Sequence, residues 1–489
     1  MQKKLIALAV AGLASSAAFA QTNVVVYGVA DGSFDYVWTS GRDVQTVQTL
    51  TDTTVNGPAG VGNTVRLTGV STRTQSADFD GHSRISANSS YLGFKGSEDL
   101  GNGLKAIFQY EMGLDFTNNG TLGATRDSFV GLSHANAGTV VLGNLTGPTR
   151  ALGSALDVFP GATGIGANSA MLGKIAGNRL TSGAGFTQVT GNAGTVANPI
   201  PFVDQTYTAT SGCARGSTCT SIFDTRWANS IAYLSPNWGG FSFAAAYVAN
   251  ETESEDWGNT YTSTLATARL NTDPVVSAST TTIAQFNQFN QQPSNVWGYD
   301  LGAKWEGMGF MVGVTYNWAE FGDILNQSVD NLRVGGMYTA PNWSVRAMWE
   351  QTGADADSFL AYGNTKQQKY GLGGTFTFGK TTLLAQWYGA NDADNTNNTG
   401  ANFWTLGANY SLSKRTMLKA VWAYVDNDNG AQFDFGINSA GGFSRTATAV
   451  RSVETGAGNY SNVFQSNTVT ATGSGAGVQG VQVGIRHSF

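Results

Sequence analysis

No stretch beyond residue 20 approaches the ~18 uninterrupted apolar residues that a membrane-spanning helix requires, so any membrane role falls to strands. Histidine is nearly missing. His82, His134 and His487 are scattered along the chain, which removes zinc-helix motifs and leaves a histidine-based catalytic triad few possible bases. Basic charge is also short: of 27 Lys and Arg, setting aside Lys3 and Lys4 leaves 25 against 33 Asp and Glu, the reverse of a nucleic-acid footprint. Proline is limited to 9 residues and charged side chains to 12%, so Gly, Asn, Thr and Ser carry most of the polarity. A chain this rich in Gly and aromatics and this poor in charge fits a wall with one face toward lipid and the other toward water.

The start of the chain is different in texture. Lys3 and Lys4 form a positive opening, Leu5 to Leu13 an apolar run, and Ala18-Phe19-Ala20 a small-x-small site, so residues 1–20 read as an export signal cut between Ala20 and Gln21. The run is too short for a spanning helix, and polar residues follow at once. In an exported chain the pair Cys213 and Cys219, set in a polar Gly/Ser/Thr stretch, reads as a small disulfide loop, the alternative being two unpaired thiols. A metal site is disfavoured because no His lies nearby.

From residue 21 to 489 one texture runs unbroken, with alternating segments of about ten residues between polar breaks, which points to a single β-barrel rather than several domains. Leu104, Ala106, Phe108, Tyr110, Met112, Leu114 and Phe116 share one face, and Lys105, Gln109, Glu111 and Asp115 the other. Only the two-residue period of a strand separates those sets, since a helix would mix them. The pattern recurs at Phe310, Val312, Val314, Tyr316 and Trp318, at Trp404 to Tyr410 and at Leu418 to Tyr424, with aromatics toward the segment ends. Strands are predicted near 23–37, 90–98, 103–116, 126–134, 138–146, 225–235, 240–250, 296–305, 309–321, 331–340, 342–352, 367–378, 381–390, 402–412, 415–426 and 478–489. The expected fold is all-β, a transmembrane antiparallel 16-stranded barrel. Short turns at 99–102, 136–137, 236–239, 306–308, 341 and 413–414 alternate with long segments near 38–89, 146–224, 251–295 and 427–477, which places short turns in the periplasm and long loops outside the cell. A β-sandwich is the competing fold, but it would bury one face of each strand and show no lipid-type aromatic banding.

The residues Val25-Val26-Tyr27-Gly28-Val29-Ala30-Asp31, Leu92 to Ala106 across the first turn, Phe129-Val130-Gly131-Leu132 before Gly138-Thr139-Val140, Ser235-Pro236 before Gly240-Phe241, and the closing Val483 to Phe489 resemble the general porin family of Gram-negative bacteria. The resemblance implies a homotrimer of sixteen-stranded barrels, each narrowed by a third loop, here within 146–224. It further implies a passive, water-filled channel for small hydrophilic solutes and ions in the outer membrane, with no cofactor and no enzymatic activity. Phe489 looks like the terminal signal by which such barrels are handed to the assembly machinery. Arg is frequent in the family where this chain has Tyr91 and Asn144, so two positive charges of the usual eyelet are expected to be absent. Two alternatives stay open: a substrate-specific channel, and an adhesin or phage-receptor role for the long loops.

If apolar residues face lipid, then Lys95, Lys105, Glu111, Asp115, Arg126, Arg333, Arg346, Lys419 and Arg486 face the lumen, since Arg or Lys on the lipid side near the midplane costs roughly 2–4 kcal/mol. Such groups serve either to select ions at a narrow aqueous constriction or simply as solvated ion pairs, the latter favoured for Lys105 and Lys419 near the turns. Asp157 in the third loop is the expected acidic partner of the basic wall. The part of that loop around Cys213 and Cys219 belongs either to the pore or to the outer surface. Gly475 to Gly480 has the spacing of a dinucleotide fingerprint, yet it opens the last strand rather than a helix and reads as loop glycine.

Overall fold

The computed structural model describes residues 23–41, 44–55, 64–76, 81–117, 121–159, 163–175, 184–195, 198–209, 223–249, 285–289, 296–321, 327–355, 365–438, 444–451, 465–472 and 475–489. The expected cleavage site at Ala20 and Gln21 and the cysteines Cys213 and Cys219 lie outside them.

Sixteen antiparallel strands close into one barrel. They are β1 (Asn23–Gly41), β2 (His82–Ser86 and Tyr91–Gly101), β3 (Leu104–Asp115), β4 (Thr121–His134), β5 (Gly138–Leu145), β6 (Trp227–Leu234), β7 (Phe241–Val248) and β8 (Val296–Gly307). The circuit continues with β9 (Phe310–Phe321), β10 (Gln327–Thr339), β11 (Trp343–Asp355), β12 (Thr365–Phe378), β13 (Thr381–Ala390), β14 (Ala401–Ser411), β15 (Thr416–Asn427) and β16 (Ala476–Ser488). Each strand pairs with its neighbours in sequence, and β16 returns to β1 in a register running from Val29↔Ser488 to Gly41↔Ala476. Closure leaves no strand edge unpaired, which is the condition for a sheet to stand in hydrocarbon.

Each predicted segment overlaps one of these strands. The main difference is at β2, which begins at His82 rather than near residue 90: His82–Ser86 pairs with Ser33–Val37, the chain kinks at residues 87–90, and Tyr91 onward pairs with Val29 back to Asn23. The stretch expected as outer loop around His82 is therefore wall. Beyond the barrel, strands 44–55, 64–76, 444–451 and 465–472 form a four-stranded sheet joining the loops after β1 and β15.

Side-chain alternation follows the sequence pattern. On β9, Phe310, Val312 and Val314 are exposed outward while Met311, Thr315, Asn317 and Ala319 are buried inward. On β16, Val481, Val483 and Ile485 face out, and Gln482 faces in. Phe489 continues that outer face. Its backbone bonds to Gly28 in both directions, at 3.2 and 3.1 Å. A Cβ at Gly28 would stand 2.5 Å from the Phe489 ring and 2.6 Å from the Tyr91 carbonyl oxygen, so only glycine lets the seam close under the terminal aromatic.

Gly28→Val is therefore expected to block closure, read as loss of the compact, heat-modifiable band in detergent electrophoresis. Val26→Ala, two residues away on the same exposed face, is expected to leave that band intact.

Candidate pore constriction

The chain after β5 turns into the barrel instead of outward. Pro148 starts the helix α1 (Pro148–Leu156) at its first turn, where the missing N–H costs nothing. Leu152 and Leu156, one turn apart, are buried against the wall. No side chain of the loop itself caps α1. The wall does so: the Asp300 carboxylate on β8 accepts the Thr149 N–H at 3.1 Å and the Thr149 hydroxyl at 2.6 Å.

A row of inward glycines makes the seat. Virtual Cβ atoms would meet Pro148 at 2.6 Å from Gly302 on β8, Leu152 at 2.8 Å from Gly313 on β9, Val158 at 2.8 Å from Gly373 on β12 and Phe159 at 2.7 Å from Gly407 on β14. Gly335 on β10 stands equally close to Leu156. Every one of these strands presents a gap where an inward side chain would otherwise hold the loop off the wall.

Buried ion pairs then pin it. Glu350 on β11 accepts from Arg333 Nε at 2.7 Å, Arg333 Nη2 at 2.5 Å and Lys369 Nζ at 3.3 Å, and it also accepts the Gly173 N–H of the loop at 2.7 Å. Arg333 also donates to the Thr149 carbonyl at 2.6 Å and pairs with Asp224 at 3.3 Å. Lys369 donates to Thr352, whose hydroxyl donates to the Lys174 carbonyl at 3.2 Å. Further round, Gln386 accepts from the Val158 N–H and donates to the Gly166 carbonyl at 2.7 Å, Arg346 donates to the Asp157 carbonyl, and Lys419 donates to Asp31 and to the Thr163 carbonyl.

Asp157 is turned into the loop rather than the pore. Its two oxygens accept the N–H groups of Phe159 and Asn168, each at 3.0 Å, and burial raises its carboxyl from 3.8 to about 7 despite those bonds. Lys174 is likewise pushed down by burial, to about 8.

A second group of inward side chains stands on β1 to β5. There Tyr27, Tyr91, Lys95, Glu111, Arg126 and Asn144 come together. Tyr27 donates to Glu111 at 2.7 Å, Arg126 pairs with Glu111 at 3.4 Å and lies 4.6 Å over the Tyr91 ring, and Lys95 lies 4.7 Å over Tyr27. Asn144 donates to the Arg126 carbonyl at 2.9 Å. Arg226, just before β6, pairs with Asp127 at 2.8 Å, and Arg150 on α1 sits among Arg226, Arg126, Asp224 and Asp127. Burial and its like-charged neighbours lower Arg150 to about 10, so it stays cationic at neutral pH.

Of the residues expected at the pore, Tyr91, Lys95, Glu111, Arg126 and Asn144 thus share one patch, and Arg346 and Arg486 stand half-buried elsewhere on the inner wall. Arg333 points inward but lies under the loop with its side chain 0% exposed, and so lines protein, not water. Lys419, expected as a solvated group near a turn, is buried beneath Thr163 for the same reason. Asp115 folds back to bond Thr117 beyond the end of β3. Asp31, Asp35, Asp127, Asp224, Arg150, Arg226, Asp300, Glu350 and Lys369 were not anticipated. Alternation marks the strand residues among them as inward, by the same rule that picks out Arg333 and Arg346.

The sequence model of Gram-negative porins matches residues 7–430. The major outer membrane protein P.IA of Neisseria meningitidis serogroup C is 34% identical over 134 residues, which are 27% of this chain and 30% of that protein. P.IB of Neisseria gonorrhoeae is 33% identical over 150 residues, 31% of this chain and 34% of that protein. The chain thus aligns with about a third of the length of these curated relatives. In structure it is similar to an anion-selective porin from Comamonas acidovorans, with a TM-score of 0.56 and 20% identity over 96% of this chain and all of that one. It is also similar to the outer membrane protein OmpT of Vibrio cholerae, with a TM-score of 0.51 and 11% identity over 96% of this chain and 98% of that one.

Two outcomes follow from the pinned loop. Because the Asp157 carboxyl is raised in the folded protein, its contribution to stability is full below about pH 4 and is lost as pH rises through about 7. Asp157→Asn is expected to remove that part of the fall in melting temperature across this window. Glu350→Ala leaves Arg333 and Lys369 without their shared buried anion, a loss of about 3–5 kcal/mol, expected as a lower unfolding temperature in calorimetry.

Proposed function

Since this chain belongs to the Gram-negative porin family and is an outer-membrane β-barrel, we propose that it is a passive diffusion channel for small hydrophilic solutes and ions, with a preference for anions and no catalytic step. The observation that carries this is the division of the lumen. One sector holds residues 147–159 and 163–175 seated on the wall, and another presents a polar, charged patch around Tyr91. A solute confined there meets fixed charges that little water screens.

In that patch the basic groups Lys95, Arg126, Arg150 and Arg226 outnumber the acidic Glu111, Asp127 and Asp224. Arg150 and Arg226 supply positive charge from the loop and its exit, whereas the family resembled often has Arg at the places of Tyr91 and Asn144. Arg346 adds half-buried positive charge on the inner wall, and Arg486 there pairs with Asp31 at 3.7 Å. The same reading includes export with removal of residues 1–20 after Ala20, a Cys213–Cys219 disulfide, delivery to the barrel-assembly machinery through Phe489, and a homotrimer in outer-membrane lipid.

The refolded mature protein in a planar bilayer under a salt gradient is expected to give large ohmic steps, closing in thirds, with a reversal potential of the sign for anion preference. The double substitution Arg150→Gln with Arg226→Gln is expected to move that potential toward zero. Silence from properly folded, heat-modifiable protein would sink the channel reading, and a cation-selective potential would sink the charge assignment.

A further inference from the structure

The loop after β15 was expected to lie outside the cell, yet its first part runs back into the barrel. Asn427, the last residue of β15, clamps the turn: its Nδ2 donates to the carbonyls of Phe433 at 2.8 Å and Ala476 at 2.9 Å, and its Oδ1 accepts the Phe433 N–H at 2.8 Å. Residues 428–438 then pass along the inner wall across β16 and β1. At the far end Asn438 donates to Asn88 at 2.6 Å and its carbonyl accepts from Arg84, both on or beside β2. The segment is fastened at both ends and, through Lys174 Nζ to the Asp434 carbonyl at 3.3 Å, in the middle.

Its apolar side chains face the infolded loop. Phe433 and Phe435 are fully buried in one cluster with Ile165, Met171 and Leu172 of the loop and Val37, Phe403, Val425 and Val478 of the wall. Gly480 on β16 lies under both segments, since a Cβ there would meet Ile165 at 3.0 Å and Phe435 at 3.2 Å. Ile165, Met171 and Leu172 are therefore buried jointly by the wall and by residues 428–438. Without Phe433 and Phe435 the apolar surface they share with Ile165, Met171 and Leu172 would meet lumen water, and its burial would no longer favour the seated position.

We propose that the constriction is built from two loops, with residues 428–438 acting as a strap over residues 163–175 and Phe433 and Phe435 as the positioning residues that hold the pore-narrowing loop at its depth. The inference rests on the channel reading. It assigns to the root of the loop after β15 a part in setting conductance, separate from whatever the outer portion of that loop does.

The test uses the full-length mature chain with Phe433→Ala and Phe435→Ala together, refolded and checked for the heat-modifiable band, in planar bilayers. The expected result is a larger and noisier conductance step, roughly twofold as the lumen widens, with a weaker reversal potential. Phe433→Leu with Phe435→Leu, which keeps the apolar cover, is expected to restore both. Asn427→Ala, which cuts the clamp and keeps both rings, is expected to shift conductance in the same direction as the alanine pair. Folded alanine or Asn427→Ala protein with the wild-type step and potential would overturn the strap. Silence of the wild type would overturn the channel reading, and the strap with it.

Discussion

The carboxylate of Glu350 is the point on which the interior turns. It sits on the wall, fully buried, between two cations of neighbouring strands, and it also takes a backbone N–H from the loop that narrows the lumen. A buried charge of this kind is costly alone and stable only when every partner is in place. Arg333 carries the same condition to the other end of the loop, where it holds the Thr149 carbonyl and Asp224. Wall and loop are therefore not separate layers. The strands supply charges that only the seated loop can complete, and the loop supplies backbone groups that only those charges can satisfy.

The wall was legible in the sequence because its physics is local. Lipid outside and water or packed polar groups inside impose a period of two, and that period survives in Phe310 to Trp318 and Leu104 to Phe116 without any knowledge of neighbours. The infolded segments were not legible. Residues 147–175 have no long amphipathic run, and α1 is too short to announce itself beyond Pro148 and the Leu152 and Leu156 pair. Nor could Phe433 and Phe435 be told from loop aromatics, since what buries them is Ile165 and Leu172, more than 250 residues away in sequence.

Assigning water-facing roles met the same boundary. Alternation says that Arg333, Lys419 and Arg486 point inward, and they do. It does not say which stretch of inner wall is covered, so Arg333 and Lys419 lie beneath the loop while Lys95 and Arg126 stand in the patch around Tyr91. Asp157 shows the converse case, a loop carboxylate whose bonding capacity is used by the loop's own backbone.

The glycine row under the loop carries a meaning for how the barrel is assembled correctly. Gly302, Gly313, Gly335, Gly373 and Gly407 belong to different strands, yet each must arrive at the inner face at the height of one loop residue. A strand that slipped by one residue would turn its glycine outward and bring a bulky lipid-facing side chain into the seat. The loop can settle only on a barrel whose strands are already in register, so its docking proofreads the sheet that surrounds it.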